Sequence, residues 1–331
     1  MCDRNAVRVG SGAPVSTIEL AVGATRLAIE LDTANAPGLS AAMLRAAPHE
    51  TLAVHCATAG AEFCVPVPFF HWHENRRPPA PGDVGYASFG NYLCFYYGPM
   101  SAVDGPTNVI GRLLSPASEL DAIGHALLLG GAQRAVVRNL EPASAAALPP
   151  MPDRGLPPRA DASEFEQLAR TLLAAALDNP PADISRLRDA TLPAMGNLAG
   201  RMQASMLLLA VAEVLMNARS SAVMAPHALT PIVASLAAQL ERYARWLAMA
   251  GMEGTAGWLS RVAPALRTQP LRVEHLIAGL EDALIAFGRL RFWAEAISPW
   301  HRLPADIGSD QSWLEPSLWK SFRRPARFEK E

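Results

Sequence analysis

Residues 81–113 read PGDVGYASFGNYLCFYYGPMSAVDGPTNVIGRL, and their pattern decides the fold. Three β-prone runs, VGYAS (84–88), YLCFYY (92–97) and NVIGRLL (108–114), are separated by turns rich in Gly, Asn, Pro and Asp. In the middle run, the alternation of a strand places Tyr92, Cys94 and Tyr96 on one face and Leu93, Phe95 and Tyr97 on the other. One face has to fill a core. The other then carries tyrosines outward or into a groove, where ring contact and a hydroxyl can hold a flat or amide-bearing ligand.

Working outward, five more runs of the same texture flank this stretch: VSTIELAV (15–22), RLAIEL (26–31), TLAVHCA (51–57), EFCVPV (62–67) and AVVRNL (135–140). Period two is clearest at 26–31, where Leu27, Ile29 and Leu31 alternate with Arg26, Ala28 and Glu30. Eight short strands at this spacing predict a closed barrel or a sandwich. Two helices interrupt them, 37–47 beginning at Pro37, and 117–129 with Glu119 and Asp121 in its first turn, where acidic side chains suit the helix dipole.

Near residue 141 the texture changes. EPASAAALPPMPDRGLPPRA (141–160) is Pro- and Ala-rich without apolar periodicity, as a semi-rigid linker is. Beyond it, helices are predicted at 163–178, 181–189, 192–220, 230–250, 254–265 and 272–292, with Thr230-Pro231 and Pro180-Pro181 as start and stop signals. Residues 298–331 carry Trp300, Trp313 and Trp319 and read as an irregular tail that wraps the bundle or a second subunit. The expected organisation is a barrel domain (1–141), a linker (142–162) and an all-α bundle (163–331).

Length supports two domains, since 331 residues exceed the roughly 100–200 of an ordinary single domain. Half the residues are hydrophobic, which excludes a disordered chain, and a net charge of −2 gives no electrostatic footing for a nucleic-acid partner. The opening MCDRNAVRVGSGAPVS lacks the apolar core of a secretory signal. The most apolar stretch, 204–216, is shorter than the roughly 17–25 residues of a membrane span and contains Glu213, so it reads as a buried helix of a soluble bundle. Cysteines at 2, 56, 64 and 94 match no metal spacing and are too few for a disulfide scaffold, so a reduced cytoplasmic chain with buried structural thiols is expected. Cys56 and Cys64 flank the predicted turn at Thr58-Ala59-Gly60.

The run 81–113 resembles an uncharacterised bacterial family with a cyclophilin-like fold, through Pro81 to Tyr86, Cys94 to Gly98 and Asn108 to Arg112; the preceding EFCVPVP (62–68) and the element order fit as well. The resemblance spans about residues 15–141 and implies one small closed antiparallel barrel with two helices. It implies no isomerase residue, because Phe70-His71-Trp72-His73 stands where a Phe-His-Arg motif would be and no Gln-Gly-Gly follows. Nothing comparable covers the helical half.

The densest polar constellation is PFFHWHENRRPP (68–79). If extended, it puts His71 and His73 on one face, able to act as an acid–base pair or to begin a metal site. His71, His73 and Glu74 are therefore the catalytic candidates, set against a plain surface loop. Tyr92, Tyr96, Asn108 and Arg112 are the substrate-binding candidates; Asn108 and Arg112, at i and i+4 on one strand, are expected to share a face, with Arg112 able to bind a carboxylate bidentately. No cofactor is assigned, and two histidines do not make a metal site. In the apolar helix, Glu213 and Asn217 are expected to form a buried polar rung or to border a site between the domains. The first functional expectation is a small-molecule metabolic enzyme or enzyme subunit, a hydrolase or lyase, holding an amide- or carboxylate-bearing metabolite. The alternatives are a non-catalytic assembly module for a partner protein and a divergent peptidyl-prolyl isomerase. A homo-oligomer or a partner enzyme subunit is expected, and no membrane or nucleic-acid partner.

Overall fold

The computed structural model describes residues 16–55, 60–100, 106–140, 162–177, 181–189, 194–268 and 271–296. The linker, the tail with its three tryptophans, Cys2 and Cys56 lie outside them.

Among the described residues there are nine strands: β1 (Thr17–Val22), β2 (Thr25–Leu31), β3 (His49–His55), β4 (Gly60–Pro66), β5 (Arg76–Arg77), β6 (Asp83–Ala87), β7 (Tyr92–Met100), β8 (Thr107–Leu113) and β9 (Gln133–Asn139). Their order is β2-β1-β9-β3-β4-β7-β6-β8, and the additional pairing of β2 with β8 closes an eight-stranded antiparallel barrel. Closure removes the open edges that a sandwich would leave, which settles the alternative the strand spacing left open. The two-residue β5, unforeseen in the sequence, adds to β8 from outside the ring.

The alternation read in the sequence is realised. Leu27, Ile29, Phe63, Leu93, Phe95 and Val137 point inward with no exposed surface, and the Phe63 and Phe95 rings stack at 4.8 Å. Helix α1 (Pro37–Ala46) adds Leu39 and Met43 to this core, and α2 (Ala117–Gly130) adds Leu120, Ile123 and Leu127. One departure from the sequence reading follows from a bulge. On β8, Gly111 pairs with Val84 but Val109 pairs with Gly85, so Ile110 is an extra residue that reverses the alternation. Asn108, buried beside Tyr86, and exposed Arg112 therefore lie on opposite faces and do not share one.

Buried in the same barrel, His55 hydrogen-bonds the Tyr97 hydroxyl, and burial, aided by nearby His125, pushes its imidazole from 6.5 down to about 4. The unfolded chain therefore takes up this proton first on acidification. The His55 contribution is expected to be full above pH 6.5 and to fall by about 2 kcal/mol between pH 7 and pH 5, levelling off below pH 4, with a similar loss from His49, which burial also pushes down to about 4. Urea unfolding at both pH values tests this; a slope unchanged in His55→Gln would refute it.

The rest of the described chain is helical: α3 (Glu164–Leu177), α4 (Ala182–Asp189), α5 (Ala194–Met224), α6 (Leu229–Met249), α7 (Glu253–Thr268) and α8 (Val273–Ala296). Their shared core includes Phe165, Leu208, Leu215, Leu240, Trp258, Leu284 and Phe287. Within α5, Gln203–Met224 is long and apolar enough to cross a bilayer by length and composition, but Leu208, Val211, Ala212 and Leu215 are packed into this core. Glu213 and Asn217 are exposed on the opposite side of α5, so they form no buried rung. A helix that is apolar on every side has to be buried on every side, and α8 is covered almost all round from Asp282 to Phe292.

On its barrel side α8 makes backbone-close contact. The Asn91 side chain donates to the Leu284 carbonyl at 2.8 Å, Arg289 donates to Thr51 at 2.9 Å and Arg291 donates to the Tyr92 hydroxyl at 2.9 Å. Phe70, from the loop after β4, joins the helical core beneath the Arg219 guanidinium.

Candidate functional site

The histidine loop is not a strand. It is held by local bonds that use most of its polar atoms. The Glu74 carboxylate accepts the backbone N–H groups of Gly38 (3.2 Å) and Leu39 (2.8 Å), satisfying orphan donors of the first turn of α1 at the positive end of its dipole. Pro37 opens that helix without a side-chain cap of its own, so Glu74 supplies the cap from across the barrel. His71 lies against the same turn. A Cβ at Gly38 would come 2.5 Å from His71 Nε2, so glycine is what admits the imidazole.

His71 Nδ1 lies 3.0 Å from the Trp72 carbonyl, which can only accept, so Nδ1 is the donor in this contact. The His71 backbone N–H donates to the Tyr86 hydroxyl at 2.9 Å. His73 is exposed, rests on Trp72 at 4.5 Å between rings, and hydrogen-bonds Asn108. Partial burial and then the Arg76 charge push its pKa below the usual histidine value, against the opposing Asn108 bond. Asn108 ties the loop to the barrel: its Oδ1 accepts the Glu74 N–H, and its Nδ2 donates to the Tyr86 carbonyl and to Ser88. The structure thus brings His71, His73, Glu74 and Asn108 together, with Glu74 already committed to α1.

Beyond this loop, from β5 onward, lies a cleft of about 400 Å³ lined by Glu30, Leu31, Asp32, Arg77, Asp83, Val109, Gly111 and Arg112 among others. Arg77, on β5, grips Asp83 through two bonds of 2.6 and 2.9 Å, which raise its pKa further. Asn75 donates to Asp32 and to the Val109 carbonyl, joining loop and cleft. Arg112 spends Nε on Glu30 at 2.7 Å, while its side chain is 71% exposed, so the Nη edge of the fork faces solvent. Two guanidinium groups and three carboxylates around an apolar floor of Leu31 and Val109 suit a ligand that carries both charges.

Tyr92 and Tyr96 are elsewhere. With Cys94 they form the outward face of β7, covered by Phe292 of α8 in a layer that also holds Val54, Cys64 and Ala87. Burial pushes the Cys94 thiol up to about 12 and the Tyr96 phenol well above its ordinary value, and the Glu62 carboxylate opposes ionisation of both. Glu62, 4% exposed, was not among the sequence candidates, nor were buried Arg289 and Arg291. The signal was present: in EFCV, Glu62 is a carboxylate at period two from Cys64 in an otherwise apolar strand, and FGRLRF breaks the apolar run of α8. Cys64 Sγ lies 3.3 Å from Glu62 Oε1, and the donor atoms of Glu62, Cys64 and Cys94 lie within 4.8 Å of one another.

No protein-family model and no curated protein sequence matches the chain. Among solved structures, McbB in complex with tryptophan is similar with a TM-score of 0.67 over 86% of this chain and 98% of its own, at 15% identity. The hypothetical protein AF2241 from Archaeoglobus fulgidus aligns over 39% of this chain and 98% of its own, at 21% identity and a TM-score of 0.31. The first likeness runs through barrel and helices alike and, at that identity, is a likeness of fold.

Proposed function

We propose that this chain is a small-molecule metabolic enzyme or enzyme subunit whose ligand is a carboxylate- or amide-bearing metabolite of amino-acid size, seated in the cleft beside Arg112. The observation that carries this reading is the cleft itself: its volume is in the range of small-ligand sites, and one exposed guanidinium shares it with carboxylates. In this reading Arg112 takes the ligand carboxylate and Asp32 faces its ammonium or amide, and His73, on the loop that Asn75 ties to Asp32, is the residue assigned to proton transfer. Glu74 acts by fixing the loop on α1. Tyr92 and Tyr96 belong to the separate layer under α8. McbB, of similar fold, binds an amino acid, which agrees with this class of ligand. The finer organisation proposed with it is a cytoplasmic two-domain chain whose barrel is of the cyclophilin-like type.

Calorimetric titration with amino acids, including tryptophan, and with their carboxamides tests the reading. Carboxylates are expected to bind, and Arg112→Gln to weaken them by roughly 10- to 100-fold, the worth of a hydrogen bond to a charged group. No saturable binding across the panel, or unchanged binding in Arg112→Gln, would overturn it and leave the assembly-module reading.

A further inference from the structure

The layer between β4, β7 and α8 contains donors that the ligand cleft does not use. Cys64 and Cys94 are direct cross-strand partners, and Glu62, partnered with Tyr96, lies two residues along β4 on the same face. All three side chains are buried, at 4%, 4% and 3% exposure, among apolar neighbours. Their donor atoms converge within 4.8 Å, a span compatible with bonds of about 2.3 Å from sulfur and 2.0–2.2 Å from oxygen to one central ion.

We propose that Glu62, Cys64 and Cys94 form a binding site for one thiophilic divalent cation, of which zinc is the biological example, with a fourth position left for water or a small ligand. Two sulfur donors favour zinc over magnesium or calcium, which take oxygen. One carboxylate with two thiols, donated by rigid paired strands, also matches the three-ligand count of an open zinc site. The chemistry of the surroundings agrees. A carboxylate and two thiols packed together in an apolar layer repel one another once ionised, whereas a dication offsets two of the three negative charges and takes the place of the thiol protons, which leave to solvent as the metal–sulfur bonds form. The Tyr96 hydroxyl, hydrogen-bonded to Thr107 and to Cys94, supplies the outer contact that orients a ligating sulfur. The close fit of that hydroxyl is built into β6: a Cβ at Gly85 would lie 2.7 Å from it.

The test uses the full chain, reduced and freed of metal by a chelator, then titrated with Co²⁺ and back-titrated with Zn²⁺. A thiolate-to-cobalt charge-transfer band saturating at one ion per chain and bleached by zinc is expected. Losing an outer contact alone costs roughly 10- to 100-fold in affinity, so Cys64→Ser and Cys94→Ser are each expected to exceed that loss. Glu62→Gln, close in shape, keeps the packing and is expected to weaken binding while urea unfolding stays near wild type, which separates ligation from misfolding. The Cys2→Ser/Cys56→Ser double variant should keep the band. Absence of a band in folded, reduced protein, or a band that survives Cys64→Ser/Cys94→Ser, would overturn the proposal. This site is independent of the Arg112 cleft, and either can fail alone.

Discussion

Gly288→Ala is expected to destabilise the protein by about 2–3 kcal/mol, although helix propensity alone predicts a gain of roughly 0.5–1 kcal/mol for the same change in a helix interior. A Cβ at position 288 would lie 2.2 Å from the Gly90 carbonyl oxygen and 2.7 Å from its carbon. Neither obstacle is a flexible side chain. The turn that carries Gly90 cannot retreat freely either, because a Cβ at Gly90 would already meet the Tyr92 ring at 1.9 Å. Asn91 beside it holds φ at +52° while its side chain joins the Leu284 carbonyl to the Tyr86 hydroxyl. Displacing α8 by the required ångström breaks those bonds and the Arg289 and Arg291 bonds with them, leaving buried polar groups unsatisfied. The control is Gly257→Ala in α7, where a Cβ meets nothing within 4 Å and the propensity gain should appear. Opposite signs for the two variants in urea unfolding are the expected result; a stabilised Gly288→Ala would show that the contact between α8 and the β6–β7 turn is loose.

The barrel seam is the second sensitive place. Gly111 faces Leu31 across the β2–β8 pair, and a Cβ there would lie 2.2 Å from the Glu30 carbonyl oxygen, a backbone atom of the ladder itself. Gly111→Val is expected to cost about 3 kcal/mol or more by overpacking and lost ladder bonds. It also leaves β2 and β8 as open edges, so aggregation on mild heating should accompany the loss. Because Gly111, Arg112 and Glu30 line the same cleft, ligand binding should fall together with stability. Measured stability and carboxylate affinity should therefore move together in Gly111→Val and separately in Arg112→Gln, which removes one exposed charge and its surface ion pair with Glu30. A Gly111→Val protein of wild-type stability would mean that the seam is not what closes the sheet.

Much of the fold was readable from local pattern. All eight long strands and every helix from Glu164 onward fall where period two and period 3.6 place them, because facing is a local property of an extended or helical backbone. The inward and outward faces of Tyr92 to Tyr97 follow from the same rule. The readings that failed each depended on something distant. Asn108 and Arg112 part because of one bulge residue opposite Val84 and Gly85, a matter of register between two strands. Glu74 is drawn off to a helix that starts at Pro37, well upstream in the chain. Glu213 and Asn217 face outward because α8 takes the other side of α5.

The sequence by itself determined the strands, the helices and the change of texture near residue 141. Only the tertiary structure decided that the sheet closes, that Asn75 ties the histidine loop to Asp32 of a charged cleft, and that Glu62 meets Cys64 and Cys94 beneath an apolar cover. The reason is physical: periodicity reports which way a side chain points from its own backbone, whereas a site is a meeting of side chains whose separation is set by closure, register and packing across the whole chain.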